Sequence, residues 1–265
     1  MLATRRKVIL SIAAHGDDAE FMAGGTLAKL VDEGHDLYLL IATDNDRGSY
    51  RLSAEELKSI ARPEAEAAGR VLGAKGVFLL GYRDGDLCDV PTSTLRGQIM
   101  YYIRRLRADV IFCWDPFAPF ENHPDHRAIA LTASDASSFS FLPLFHPEQL
   151  AEGLLQQRVT EWYWYSKAHW ETNKRVDIGA TIERKIQALC AYCCQMVLTL
   201  DDLLSEARAM GVDESRLAAI DPTNFEPLID QGLRANDGRT GAEIGCDYAE
   251  AFRYQTLELP GIFQP

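Results

Sequence analysis

Residues 11–30 read SIAAHGDDAEFMAGGTLAKL, an apolar run that gives way abruptly to His15, Asp17 and Asp18. Adjacent carboxylates repel each other unless a positive charge stands between them. A second cluster, His123, Asp125 and His126, lies in the stretch ENHPDHRA. Imidazoles and a carboxylate drawn from these clusters form a borderline-hard donor set suited to Zn²⁺ or Fe²⁺. Three protein ligands leave a position open to water, the arrangement of catalytic rather than structural sites. The same residues also suit plainer work. Asp125 and Pro124 alone make an adequate helix start, and His and Asp are common turn formers. Two such clusters at neighbouring strand ends weigh toward the metal.

The elements that must position them alternate. KVILSIAA, DLYLLIAT, GVFLL and DVIFCW read as buried strands. Between them stand helices. GGTLAKLVDEG ends at Gly34, and AEELKSIARPEAEAAGRVLG opens on a Ser53–Glu56 capping box with a kink or break expected at Pro63. TSTLRGQIMYYIRRLRA follows, and HPDHRAIALTASDASSF carries Pro124 in its first turn. Strands separated by helices imply a parallel sheet, in which ligands sit at the carboxyl ends of the strands. The polar loops 15–18, 43–46, 82–86 and 115–126 then share one edge.

The second half is less regular. EWYWYS and AEAFRYQTL have strand character, IGATIERKIQALCAYCCQMV reads as one long helix and DDLLSEARAMG as another. The expected fold is α/β, a Rossmann-like, mostly parallel sheet flanked by helices on both faces, with a smaller irregular C-terminal part. Residues 1–265 read as one domain: a motif-bearing core over 1–137, and a remainder over 138–265 that completes the sheet, the substrate pocket and oligomer contacts.

Composition narrows the partners. A formal charge of −12 with no long basic run argues against nucleic acid or an anionic membrane surface. Cys190, Cys193 and Cys194 lie in an apolar stretch and read as buried thiols in a reducing cytoplasm. The start MLATRRKVIL imitates an export signal at Thr4, Arg5 and Arg6, but reads as a first strand after a solvated basic end. No 18-residue apolar stretch suggests a membrane helix. SSFSFLPLFHP, residues 137–147, is apolar enough to be tucked under the second half or buried against another subunit. The aromatic EWYWYSKAHW suits core or subunit contacts, and Gly24-Gly25-Thr26 suits tight packing rather than a phosphate loop.

Taken together, AAHGDDAEFMAGGTLA and HPDHRAI resemble the two signatures of the PIG-L/LmbE-like zinc-dependent N-deacetylases. GYRDGDL, WDPFAPFENHPDH and YAEAFR extend the likeness toward the diacetylchitobiose deacetylase branch. The resemblance implies that His15, Asp18 and His126 ligate one Zn²⁺, with Fe²⁺ or Co²⁺ as substitutes. Asp17 would be the general base on the attacking water, which accounts for the acidic pair. His123 would steady the oxyanion or protonate the leaving amine, and Asp125 would orient a histidine. Arg83 and Asp115 would bind sugar hydroxyls, as a guanidinium and carboxylate clamp or else a plain surface ion pair. The implied activity removes acetyl from an N-acetylated amino sugar of the N-acetylglucosamine or diacetylchitobiose type, in a homotrimer or homohexamer. The alternatives are the same chemistry on another N-acyl glycoside, such as a thiol-cofactor or antibiotic precursor, or a non-catalytic Rossmann-like binding module. Two departures stand out. Gly16 replaces the family's Pro, so the loop should be less restrained, and Ala19 replaces its frequent Glu.

Overall fold

Ile9, Leu10 and Ile12 are fully buried, and the strand they form, β1 (Val8–Ala13), lies inside a sheet of seven. The computed structural model describes residues 5–221 and 223–258. The other strands are β2 (Asp36–Thr43), β3 (Gly76–Tyr82), β4 (Val110–Trp114), β5 (Glu161–Tyr165), β6 (Lys174–Asp177) and β7 (Ala249–Thr256), in the spatial order β3-β2-β1-β4-β5-β7-β6. The first five run parallel, and β7 runs antiparallel between β5 and β6. The chain winds outward from β1 to β3, then crosses back to β4 on the other side of β1. That reversal opens a crevice above the carboxyl ends of β1 and β4, where α/β sheets bind ligands.

The crossovers are α1 (Asp18–Asp32), α2 (Ala54–Leu72), α3 (Thr92–Leu106) and α4 (Pro124–Phe139). After them come α5 (Pro147–Ala151), α6 (Ile182–Cys190), α7 (Cys193–Met210), α8 (Ser215–Ala218) and α9 (Glu226–Ala242). Right-handed crossovers put helices made before and after the reversal on opposite faces. Accordingly α1 packs with α2 and α6, α6 with α9, and α3 separately with α4. The main core lies within the sheet and beneath these helices, and a smaller one joins Ile182, Ile186, Met196, Ile229 and Leu233 of α6, α7 and α9.

Several expectations need correction. The stretch 178–197 is not one helix. It breaks at Ala191–Tyr192, α6 and α7 meet at 89°, and the expected second helix is the continuation of α7. Tyr192 leaves helical geometry (φ −91°, ψ 67°) because its ring is buried over the β1–α1 loop. By contrast α2 runs unbroken through Pro63, which is exposed, so solvent can satisfy the carbonyl that loses its donor. Helix α1 begins six residues before Gly24. Strand β6 and helix α9 carried no clear sequence signal. Gly25 does pack tightly: a Cβ there would come within 2.7 Å of Ile178.

The apolar segment after α4 lies against α3, not under the second half. Arg104 is buried and donates to the carbonyls of Ser140, Leu142, Phe145 and His146 and to the Gln149 side chain. Phe139 and Phe145 stack at 4.8 Å, while Leu144 stays exposed. At the amino end, Arg5 and Arg6 pair with Asp109 and Asp36; Thr4 lies outside the described residues. No single helix among the described residues is long and apolar enough to cross a membrane.

Candidate active site

His15, Asp17 and Asp18 follow β1 directly, and Asp18 is the first residue of α1. The Asp18 side chain folds back on the strand end. Its Oδ2 accepts from the backbone nitrogens of Ala14 (2.9 Å) and His15 (3.0 Å) and from Trp114 Nε1 (2.9 Å). With Oδ2 saturated, Oδ1 faces His126 Nε2 at 3.2 Å. His126 arrives from the first turn of α4, its ring stacked on Trp114 at 4.0 Å and 14°. Its Nδ1 lies 3.1 Å from Glu121 Oε1, though not aligned for a hydrogen bond. His15 Nδ1 completes a triangle, 3.2 Å from His126 Nε2 and 3.7 Å from Asp18 Oδ2.

The triangle runs through both Asp18 oxygens, Oδ1 towards His126 and Oδ2 towards His15, so one carboxylate spans the two imidazoles on the scale of a metal site. Zinc bonds of ~2.0–2.1 Å place neighbouring ligand atoms ~3.3 Å apart. The charge balance points the same way. Burial works to strip His15 of its proton, yet Asp125, Asp18 and Asp84 outweigh it and hold the imidazole well above its ordinary value. A site so short of positive charge is one that a divalent cation would satisfy. Burial also works to raise Asp18, but His126 and His15 hold it well below the usual carboxylate range. The groupings whose single donor atoms all lie within 4.8 Å of one another are His15 with His123 and His126, and His15 with Asp84 and Asp125. Asp125 suits a supporting role better than a ligand's. Both its oxygens are engaged, by the backbone nitrogens of Gly85 (2.6 Å) and Leu87 (3.0 Å), and it does not line the cavity. Its Oδ2 lies 3.3 Å from His15 Nε2, and Asp84 Oδ1 lies 3.1 Å from the same nitrogen. These carboxylates fix the ring so that Nδ1 points inward.

Asp17 stands apart from its neighbour. Its side chain does not cap α1, and its backbone sits at φ 108°, where L residues are strained. Burial, then the charge on Asp18, push its carboxyl well above the usual range, with His15 pulling the other way. Two adjacent carboxyls driven in opposite directions are suited to different tasks. His123 caps α4 by accepting from Asp125 N on its Nδ1 (3.3 Å). In the neutral ring the proton therefore sits on Nε2. Burial, and then the charges of His15 and His126, lower its pKa.

The loop is not loosened by Gly16. Asn45 Oδ1 accepts from Gly16 N and Asn45 Nδ2 donates to Gly16 O, both at 3.1 Å. A Cβ at Gly16 would lie 2.6 Å from Tyr192 Cε1. Tyr192 and Asn45 thus supply restraint that a proline ring would otherwise provide.

Arg83 and Asp115 form no ion pair with each other, which removes the plain surface-pair reading. β7 lies beside β5 with Arg253 opposite Trp164, and from there Arg253 grips Asp115 through Nε (2.5 Å) and Nη2 (2.8 Å). Arg83 is exposed, its nearest carboxylate Asp46 at 3.7 Å, and neither residue lines the cavity. Trp114, Glu121, Asn45 and Asp84 escaped the sequence analysis. Asp84 and Glu121 lie within motifs quoted above, but nothing local shows that they reach His15 and His126.

A profile of the PIG-L family, described as GlcNAc-PI de-N-acetylase, matches residues 10–137. The chain is 33% identical to the diacetylchitobiose deacetylase of Thermococcus kodakarensis over 97% of its own length and 85% of that protein's. The chain therefore belongs to the PIG-L family of de-N-acetylases, and it is a hydrolytic enzyme of that family. Its fold matches the solved N,N'-diacetylchitobiose deacetylase from Pyrococcus horikoshii with a TM-score of 0.75 and 29% identity, covering 98% of this chain and 86% of that one. A 4-carboxy-2-hydroxymuconate hydratase from Pseudomonas putida shares the fold at TM-score 0.67 and 16% identity, with 96% and 98% covered. The fold alone thus does not define the reaction; the donors at the strand ends carry that weight.

Proposed function

We propose that this chain is a zinc-dependent deacetylase of N-acetylated amino sugars, with N-acetylglucosamine or diacetylchitobiose as the substrate type. The observation that carries this is the triangle of His15, Asp18 and His126 on the wall of a cavity that Asp17 also lines. These three residues would hold Zn²⁺, and the same donors accept Fe²⁺ or Co²⁺. When bound, the ion supplies Lewis-acid polarisation of the amide carbonyl and a lowered pKa for coordinated water. Asp17 takes the proton of the attacking water, a task for which a raised carboxyl is matched. His123, with a proton on Nε2, would donate a hydrogen bond to the developing oxyanion, and Asp17 would pass the proton it took from water to the leaving amine. Asp125 and Asp84 hold His15 in register, and Glu121 faces the outer nitrogen of His126. Arg83, exposed and 3.7 Å from Asp46, is the freer of the two proposed sugar contacts. Asp115 would act only after releasing Arg253.

The test is acetate release from N-acetylglucosamine and diacetylchitobiose by protein that has been stripped with a chelator and then reloaded with zinc. Activity lost on stripping and regained with zinc is expected. Equal activity in the stripped protein would refute the assignment. The proposed homotrimer or homohexamer predicts a mass of three or six times 29.6 kDa by light scattering.

A further inference from the structure

The cavity above the metal ligands has a volume of about 620 Å³, and one side of it is unlike a sugar site. Its floor is polar: His15, Asp17, Asp18, Asp84, His123 and His126. Its wall is not. α7 contributes Leu198 and Leu203, α9 contributes Leu228, Ile229 and Leu233, and α1 contributes Phe21 one turn beyond Asp17. Ile229 and Leu233 also belong to the small C-terminal core, so this wall is the open edge of a packed cluster.

A second sugar ring placed there would bring hydroxyls, and each needs a partner when buried. The wall offers few, chiefly Gln195, Thr199 and Asn236. Sugars also bind by stacking on aromatic faces, but one face of Trp114 is already covered by His126. An anionic substituent fits no better. Among the residues lining the cavity the only Lys or Arg is Lys167, which lies 3.4 Å from Glu121.

We infer that the substrate carries an uncharged apolar group, alkyl or aryl, beside the amino sugar, and that the α7–α9 wall receives it. This rests on the deacetylase assignment above and specifies its substrate class. The apolar group has two possible positions: the glycosidic oxygen, or a longer acyl chain on the nitrogen.

The test uses zinc-loaded protein and two ligand series. One is methyl to hexyl β-glycosides of N-acetylglucosamine; the other is methyl N-acylglucosaminides from acetyl to hexanoyl. Turnover is followed by carboxylate release, and binding to the Asp17→Asn variant by calorimetry. In one series kcat/KM and affinity should rise by up to about 4-fold per methylene, the transfer value of a buried CH₂. Leu203→Glu, on the exposed side of α7, should flatten that dependence, costing the hexyl ligand more than the methyl one. Values independent of chain length in both series, or diacetylchitobiose preferred over the hexyl glycoside, would overturn the inference while leaving deacetylation intact. Binding that strengthens with chain length, with no carboxylate released from any ligand, would instead overturn the deacetylase assignment.

Discussion

Trp114 offers the sharpest test of how the site is built. It is the last residue of β4, it is buried, and it touches two proposed ligands at once. Its ring face supports His126, and its Nε1 donates to Asp18 Oδ2 at 2.9 Å. Trp114→Phe keeps an aromatic face beside His126, removes the donor and trims the buried indole to a single ring. A hydrogen bond to a buried carboxylate contributes ~1.5–3 kcal/mol, so losing its whole worth would weaken zinc binding ~10–150-fold. Two backbone donors remain on the same oxygen, Ala14 N and His15 N. The expected loss therefore lies near the lower end, about 10-fold, within the range seen when an outer partner of a metal ligand is removed. Competition with a chromogenic chelator measures it, alongside the melting temperature of the stripped protein. Trp114→Leu, which also removes the ring behind His126, should lose more. Zinc affinity unchanged in Trp114→Phe would refute the reasoning: either Asp18 is not a ligand, or its orientation does not depend on Trp114.

Asp17→Asn should keep its zinc and lose kcat by ~10²-fold or more, measured by acetate release and metal analysis; loss of the metal would exchange the roles of Asp17 and Asp18. Asp17→Gly should be equally inactive yet more stable by ~1 kcal/mol, since glycine relieves the strained backbone at φ 108°. Gly16→Ala should destabilise by ~1–3 kcal/mol through collision with Tyr192, and adding Tyr192→Leu should recover part of that loss; strict additivity in denaturant melts would show that the two residues do not couple. Lys185, buried between Asp237 and Glu250 at 2.8 Å from each, should cost ~3–5 kcal/mol when changed to Met, because two buried carboxylates lose their cation. Burial works against the Lys185 ammonium, but Glu250 and Asp237 outweigh it and hold its pKa above the ordinary 10.5. The wild type's advantage over Lys185→Met should then be full below about pH 10.4 and shrink as pH rises through the folded-state value. An advantage that grows in alkali would contradict the pairing.

Much of the site could be seen in the chain itself. Alternating apolar runs set the strand and helix periods, and parallel connectivity puts every strand's carboxyl end on one edge, so the loops that carry His15, Asp18 and His126 had to share that edge. Local chemistry was equally readable: the Ser53–Glu56 capping box and Pro124 at the start of α4 stand where expected. Tertiary packing decided what local patterns do not encode. Whether a helix continues through Ala191–Tyr192 depends on the space above Gly16, far away in sequence. The partner of Asp115 depends on β7 returning antiparallel beside β5, which brings in Arg253 and leaves Arg83 outside. The indole that fixes Asp18 lies 96 residues from it, and the carboxylate of Asp84 lies 69 residues from His15. Periodicity and caps act over a few residues and follow from backbone geometry, so the sequence by itself determined the elements and the edge where the chemistry gathers. Which side chain meets which across that edge was decided only by the tertiary structure, because strand order and packing set those contacts and no spacing along the chain records them.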